Sequence, residues 1–139
     1  MTTPVKFELA KLLKEKGFDK YCTSGYTESG DVYLHQGGQE PVKNGHGYYE
    51  GRNYNGGEFY CSAPTIAEVV MWLYEKHGIW ISVSITIQKE YYYQCIDITG
   101  KKDSTKNNYP SRICKPGNYY NSPTEAYEAA IEYTLNNLI

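Results

Sequence analysis

One stretch, residues 65–98, constrains the fold more than any other part of the chain. Thr65 and Glu68 have the spacing of a capping box, in which two side chains accept hydrogen bonds from backbone N–H groups at the start of a helix. The next residues recur at intervals of three and four, as on one buried helix face: Ile66, Val69, Val70, Leu73 and His77. Gly78 follows, and glycine readily ends a helix in the left-handed conformation. The pattern predicts a helix from Thr65 that ends before Gly78.

After Gly78 the period changes from 3.6 to two. Every odd position carries an isoleucine or a valine: Ile79, Ile81, Val83, Ile85 and Ile87. In a strand this alternation places the whole set on one face, and we expect that face to be buried beneath helices. One buried and one wet face is typical of an antiparallel sheet. Residues 91–98 predict a second strand, connected through Lys89 and Glu90 by a turn whose type is open.

The remaining elements are weaker but of the same kinds. A helix is predicted over residues 5–16, ended by Gly17, and another from Ser122, where Pro123 and Glu125 favour a helix start. Residues 20–26 and 31–36 predict two strands, and residues 58–61 and 111–115 two short ones. The predicted fold class is α+β: a small single domain over residues 1–139, with an antiparallel sheet of about four strands and three helices packed mainly on one face.

Composition limits the classes of partner. The chain has 139 residues, a net charge of −2 and a pI near 5.9, so nothing indicates attraction to duplex nucleic acid. No apolar run is long enough to span a membrane, and the N-terminus lacks the features of a signal peptide. We therefore expect a cytoplasmic protein. The four cysteines are expected to be free thiols: Cys22, Cys61, Cys95 and Cys114.

No arrangement of residues predicts catalysis, a metal or a cofactor. The cysteines are far apart, with no CxxC pair, and the histidines give no ligand spacing. The glycine-rich segment lacks the GxxxxGK[ST] and GxGxxG patterns of phosphate-binding loops. Asp97 is interpreted as a turn residue and His77 as a residue of a helix C-terminus. We expect a non-enzymatic protein with no metal and no cofactor.

Two polar segments interrupt the predicted elements, residues 37–57 and residues 99–121. The first is rich in glycine and longer than ordinary connections, and such loops are often functional. Tyrosine is unusually frequent in the chain, at 16 of 139 residues, and it suits surfaces that bind while staying soluble. The segment and its end supply the predicted binding residues: His46, Tyr48, Tyr49, Arg52, Tyr54 and Tyr60.

These residues leave several functions open. The leading hypothesis is a binding module that engages a host protein or sequesters a small planar ligand. One alternative is a nucleotide-binding sponge or a nucleotide-handling enzyme, and another is a structural component that forms homo-oligomers through exposed tyrosines. Tyrosines that only cover the sheet would explain the same composition.

Several short motifs occur in one order along the chain: LLKEKGFD at 12–19, SAPT at 62–65, WL at 72–73, HGIWI at 77–81, PTEA at 123–126 and LNNLI at 135–139. In this order they resemble a group of short uncharacterised proteins from phages and prophages of gut bacteria. The resemblance implies a shared fold and a phage setting, with the cytoplasm of the host cell as the site of action. It implies no activity, because the motifs serve capping and packing.

Overall fold

The computed structural model describes residues 3–34, 55, 60–101, 111–113 and 117–139. Within these ranges the chain forms three helices and six strands in the following order: α1 (Phe7–Glu15), β1 (Ser24–Tyr26), β2 (Val32–Leu34), β3 (Cys61–Ser62), α2 (Ile66–His77), β4 (Ile79–Ile85), β5 (Tyr91–Asp97), β6 (Ser111–Arg112) and α3 (Pro123–Asn137). The chain divides into two compact units, residues 1–68 and 69–139. The single domain over 1–139 stays a prediction.

The predicted α+β class is confirmed, with three helices and antiparallel strands. The four strands of three residues or more, β1, β2, β4 and β5, agree with the expected number of about four. They belong to two sheets, with the orders β2-β1-β3 and β4-β5-β6. Each sheet is completed by a strand of two residues, β3 in the first and β6 in the second.

The first unit begins with helix α1, which is shorter than the predicted 5–16. Val5 stays outside the helix, and its N–H donates to the carbonyl of Pro64 at 2.8 Å. The helix ends as predicted, because Gly17 has a φ of +81° and the Phe18 N–H donates to the carbonyl of Leu13 at 2.9 Å. This is the Schellman arrangement. Phe18 is buried.

Strand β1 is the central strand of the first sheet. Its pairing with β2 runs from Ser24 opposite Leu34 to Tyr26 opposite Val32, and β3 pairs with its other edge. The Tyr26 hydroxyl donates to the Val5 carbonyl at 2.5 Å. This buried bond ties the sheet to the segment that precedes α1.

Helix α2 has the predicted capping box. The Thr65 N–H donates to Glu68 Oε2 at 2.6 Å, and the Glu68 N–H donates to Thr65 Oγ1 at 3.3 Å. The helix ends at His77, and Gly78 follows with a φ of +65°. A Cβ atom on Gly78 would lie 2.6 Å from Thr99 Cγ2. Glycine is therefore required at this position by both conformation and space.

Strands β4 and β5 form a regular hairpin in the second unit, from Ile79 opposite Asp97 to Ile85 opposite Tyr91. The turn is closed by the Thr86 N–H, which donates to the Glu90 carbonyl at 2.8 Å, and by the Lys89 N–H, which donates to the Thr86 carbonyl at 3.0 Å. Lys89 has a φ of +64°. This is a three-residue turn with its last residue left-handed, a position that usually holds glycine.

The prediction that every odd residue from 79 to 87 is buried is wrong at its end. Ile79 and Ile81 are buried, whereas Ile85 is 56% exposed and Ile87 is 95% exposed. Strand β4 ends at Ile85, and Ile87 lies in the turn, where side chains no longer alternate between two faces. The alternation in the sequence continues beyond the strand that it indicates.

Helix α3 begins as predicted. The Ser122 hydroxyl oxygen accepts a hydrogen bond from the Glu125 N–H at 3.2 Å, and Pro123 is the first helical residue. The helix packs against β4 and β5, and its buried face includes four fully buried residues: Ala130, Ile131, Thr134 and Leu135. Among the described residues, none of the helices has the length and apolar character needed to cross a membrane.

Candidate functional site

One of the six predicted binding residues lies in the described part of the chain. Tyr60 precedes β3 and is 39% exposed. The other five lie outside the described residues: His46, Tyr48, Tyr49, Arg52 and Tyr54. The site is therefore built from Tyr60 and from the residues that contact it in the first unit.

The position of Tyr60 is set by the backbone of the first sheet. Its N–H donates to the Tyr26 carbonyl at 3.0 Å, which extends the pairing of β1 with β3 by one residue. The Tyr60 ring then lies against helix α1, 5.7 Å from the Phe7 ring between centroids at an angle of 53°. Phe7 also contacts the Tyr26 ring at 5.2 Å. The exposed tyrosine thus rests on a rigid aromatic neighbour.

Two lysines of α1 complete this surface. The Lys14 ammonium donates to the Tyr60 carbonyl and lies 5.2 Å from the centre of the Tyr60 ring. The Lys11 ammonium lies 4.8 Å from the centre of the Phe7 ring. Both distances are within the range of a cation–π interaction. We call Phe7, Lys11, Lys14 and Tyr60 the Tyr60 surface.

The Tyr60 surface combines positive charge with aromatic area. Lys11 forms an ion pair with Glu8 at 2.5 Å. The hydrogen bond that Lys11 donates to the Glu8 carboxylate raises the pKa of Lys11, so its ammonium stays charged at any physiological pH. Lys14 directs its ammonium to Tyr60, where the carbonyl and the ring hold it. An arrangement of this kind can bind an acidic or planar group, and it contains no nucleophile.

Asn55 connects the glycine-rich segment to the first unit. Its side-chain amide nitrogen donates to the Phe18 carbonyl at 2.7 Å, and its side-chain oxygen accepts from the Ser62 N–H at 2.9 Å. One side chain therefore links Phe18, which lies beyond the end of α1, with strand β3. This link holds position 55 close to the sheet that positions Tyr60.

The cysteine thiols in the described part of the chain are poorly suited to act as nucleophiles or metal ligands. Cys22, Cys61 and Cys95 are buried, and none of the three is part of a disulfide. Burial raises the pKa of Cys22 to about 12, although a hydrogen bond with Ser62 acts in the opposite direction. Burial also raises the pKa of Cys61. A thiol that stays protonated is a poor nucleophile and a poor metal ligand, and among the described residues no three His, Cys, Asp or Glu side chains cluster as metal ligands.

The second unit has an open cavity of about 580 Å³ beside the end of α2. Thr99 forms part of its wall, and the Asp97 carboxylate fixes Thr99 by accepting from its N–H at 3.0 Å and its hydroxyl at 2.7 Å. Asp97 is fully buried at the end of β5, in the turn role that the sequence indicates. Its partners are structural, and we assign it no chemistry.

Several tyrosines of the second unit serve packing. Tyr92 contacts Tyr119 with ring centroids 6.3 Å apart. Tyr93 lies between Tyr120 and Tyr133, at 6.1 and 6.4 Å. These tyrosines therefore illustrate the interpretation in which the rings cover the sheet. The Tyr60 ring, which remains exposed beside the Lys14 ammonium, does not fit that interpretation alone.

Sequence reasoning identified Tyr60 but missed its neighbours on α1. Phe7, Lys11 and Lys14 are spaced four and three residues apart, which places them on one helix face. The sequence places Phe7 at the edge of the buried face and gives no sign that Lys14 approaches a residue 46 positions away. The spacing of an aromatic residue and two lysines was the available signal.

Comparison with models of protein families, with curated proteins and with solved structures finds no match for this chain. The resemblance to phage and prophage proteins therefore stays a prediction.

Proposed function

We propose that this is a non-enzymatic binding protein of phage type, which engages a host protein in the host cytoplasm through the Tyr60 surface and the segment of residues 37–60. The observation that carries this proposal is the exposed Tyr60 ring, held between the Phe7 ring and the Lys14 ammonium. Tyrosines and cations that are fixed before binding lose little entropy when a partner arrives.

The charge of the Tyr60 surface favours an acidic protein partner. Lys11 and Lys14 are one helix turn apart on the same side of α1, and both lie beside aromatic rings. Tyrosine is a frequent energetic centre of protein interfaces. The predicted residues His46, Tyr48, Tyr49, Arg52 and Tyr54 would extend this contact with further aromatic and polar groups. Binding through ammonium groups should weaken as the salt concentration rises.

The test compares Tyr60→Ala with Tyr21→Ala. Tyr21 belongs to the same unit and is 60% exposed, so its substitution is a matched control for the loss of a surface tyrosine. A partner captured from host-cell lysate by the wild-type protein is purified and titrated against both variants. We expect Tyr60→Ala to weaken its binding about thirtyfold and Tyr21→Ala to leave it unchanged. Equal affinities for the wild type and Tyr60→Ala would contradict the proposal.

A triple variant separates the two parts of the proposed contact. Alanine at Tyr48, Tyr49 and Tyr54 together should abolish the interaction while leaving the thermal melt intact. The nucleotide-sponge alternative makes a different prediction, namely a thermal shift of the wild type with cyclic or modified nucleotides. A nucleotide-induced shift that Tyr60→Ala removes would replace the host protein with a small planar ligand at the same surface.

A further inference from the structure

The described sheets have one long edge strand. Edges of β-sheets expose unpaired N–H and C=O groups, and proteins commonly protect them by keeping edge strands very short. Strand β2 has three residues, and β3 and β6 have two each. Strand β4 is also an edge strand, in the order β4-β5-β6, and it has seven residues. Its length sets it apart from the other three.

The hydrogen-bond register shows which backbone groups of β4 face outward. The Thr86 N–H donates to the Glu90 carbonyl, and the Ile98 N–H donates to the Gly78 carbonyl. The even residues between 78 and 86 therefore direct their N–H and C=O groups toward β5. The odd residues direct theirs away from β5. Among the described parts of the chain, no strand pairs with this outer side. Val83 and Ile85 therefore present backbone donors and acceptors at the sheet edge.

The sequence of β4 carries none of the features that discourage pairing. Residues 79–88 contain no charged residue and no proline. The side chains of Ile79 and Ile81 are buried, but Val83 is only half-buried, Ile85 is 56% exposed and Ile87 is 95% exposed. The open part of the strand edge is therefore residues 83–85, where Val83 and Ile85 continue the apolar side of the strand.

We propose that strand β4 pairs with strand β4 of a second copy of this chain, antiparallel, around a twofold axis beside Ser84. This register places Val83 opposite Ile85 of the second copy, in a pair that exchanges both backbone hydrogen bonds. It also places Ser82 opposite Thr86. Apolar residues thus meet apolar residues, hydroxyl groups meet hydroxyl groups, and no charges are opposed.

A second copy fits this edge for two reasons. Antiparallel pairing of a strand with itself satisfies twofold symmetry, the commonest symmetry of homo-oligomers. The pairing also covers Ile85, which is 56% exposed at the end of strand β4. The contact lies in the second unit and uses none of the residues of the Tyr60 surface, so it goes beyond the proposed host interaction.

The first test uses the register. Ser84 would face itself across the axis in a pair without hydrogen bonds, at a Cα separation of about 4.5 Å, which suits a disulfide. We expect Ser84→Cys to form a covalent dimer under mild oxidation. Ser82→Cys is the matched control, because its two copies would be about 13 Å apart along the strands. Oxidised Ser84→Cys that stays monomeric, or equal crosslinking of Ser82→Cys, would overturn the proposal.

The second test uses equilibrium sedimentation over a range of concentrations. Ile85→Lys adds a charge to each edge and removes two apolar contacts per dimer, so we expect the dissociation constant to rise about a hundredfold. Val32→Lys makes the same change on edge strand β2, where Val32 is 44% exposed, and should leave the dimer unchanged.

Two further measurements keep the outcomes distinct. Ile85→Thr is the more conservative substitution, because it retains a β-branched residue, and it should weaken the dimer about tenfold. Circular dichroism checks that Ile85→Lys and Ile85→Thr are both folded. Tyr60→Ala should dimerise like the wild type, which separates this contact from the host interaction. A wild-type protein that sediments as a monomer at every concentration, or a dimer that Ile85→Lys leaves intact, would overturn the inference.

Discussion

The segments α1–β1–β2 and α2–β4–β5 use the same local devices in the same order. Each helix is followed by a left-handed glycine, Gly17 in one and Gly78 in the other. Each hairpin turn is closed by two backbone hydrogen bonds. In the first turn the Thr27 N–H donates to the Asp31 carbonyl and the Gly30 N–H to the Thr27 carbonyl, both at 3.0 Å. In the second turn the Thr86 N–H donates to the Glu90 carbonyl at 2.8 Å and the Lys89 N–H to the Thr86 carbonyl at 3.0 Å. In both turns the threonine hydroxyl accepts from the N–H four residues on, at 3.2 Å.

The two segments differ in the residue at the left-handed turn position and in their place in a sheet. Gly30 has a φ of +85° in the first turn, and Lys89 has a φ of +64° in the second. The same turn therefore forms around a glycine or a lysine. The threonine and the strand pairing hold the conformation, and glycine only lowers its cost. The sheet orders differ as well, because β1 is the central strand of the first sheet and β5 is the central strand of the second. The likeness of the two segments is therefore explained by their similar helix ends and turns.

The largest difference between the segments is expected at their helix-ending glycines. In Gly78→Ala the new Cβ would lie 2.6 Å from Thr99 Cγ2, whereas no atom lies within 4 Å of a Cβ at Gly17. We expect Gly78→Ala to lower the free energy of unfolding by about 3 kcal/mol and Gly17→Ala by about 1 kcal/mol. Denaturant titration of both variants measures the difference.

Thr99→Ser supplies the control for this comparison. It removes the methyl group in the way of the new Cβ but keeps the hydroxyl that donates to Asp97. Gly78→Ala in the Thr99→Ser background should cost only the conformational strain, about 1 kcal/mol. An equal cost in both backgrounds would show that the contact with Thr99 is unimportant.

The two turns should respond to exchanges at the left-handed position with opposite signs. Gly30→Ala places a Cβ 3.0 Å from the Phe7 ring at a positive φ, and we expect a loss of about 1.5 kcal/mol. Lys89→Gly removes the strain of a side chain at a φ of +64°, and we expect a gain of about 0.5 kcal/mol after the greater freedom of glycine in the unfolded chain is subtracted. Thermal melts measure both, and a loss in Lys89→Gly would mean that the lysine side chain stabilises the turn.

The smallest differences are expected at the helix starts. Helix α2 has its capping box, whereas α1 begins at Lys6, which has no side-chain cap. We expect Thr65→Ala to destabilise the protein by about 1 kcal/mol and Lys6→Ser to stabilise it by about 0.5 kcal/mol. Lys6→Ala is the control, because it changes the side chain without adding a cap. A gain in Lys6→Ala equal to that in Lys6→Ser would exclude capping as the cause.

Sequence patterns predicted the local devices well. The capping box at Thr65, the stop at Gly78 and the start at Ser122 each depend on a few adjacent residues, and all three are present. The division of the strands into two sheets was not predictable in the same way, because pairing joins residues far apart, such as Gly25 and Ser62. The exposed Ile85 and Ile87 show a related limit, since a period of two marks a strand but not the residue where it ends.

The candidate site was predicted only in part for a similar reason. The sequence shows that Tyr60 closes a tyrosine-rich segment, but the contact with Lys14 depends on how α1 packs against β3. Composition indicated the type of residue in the candidate site, while tertiary packing determined that Lys14 lies beside Tyr60.

The two hydrogen bonds of Asn55 have a consequence for the stability of the first sheet. Because this one amide joins the Phe18 carbonyl to the Ser62 N–H, a side chain ties strand β3 to the chain beyond the end of α1. Strand β3 has only two residues, so this side chain acts as a clasp for a strand whose own backbone pairing is short.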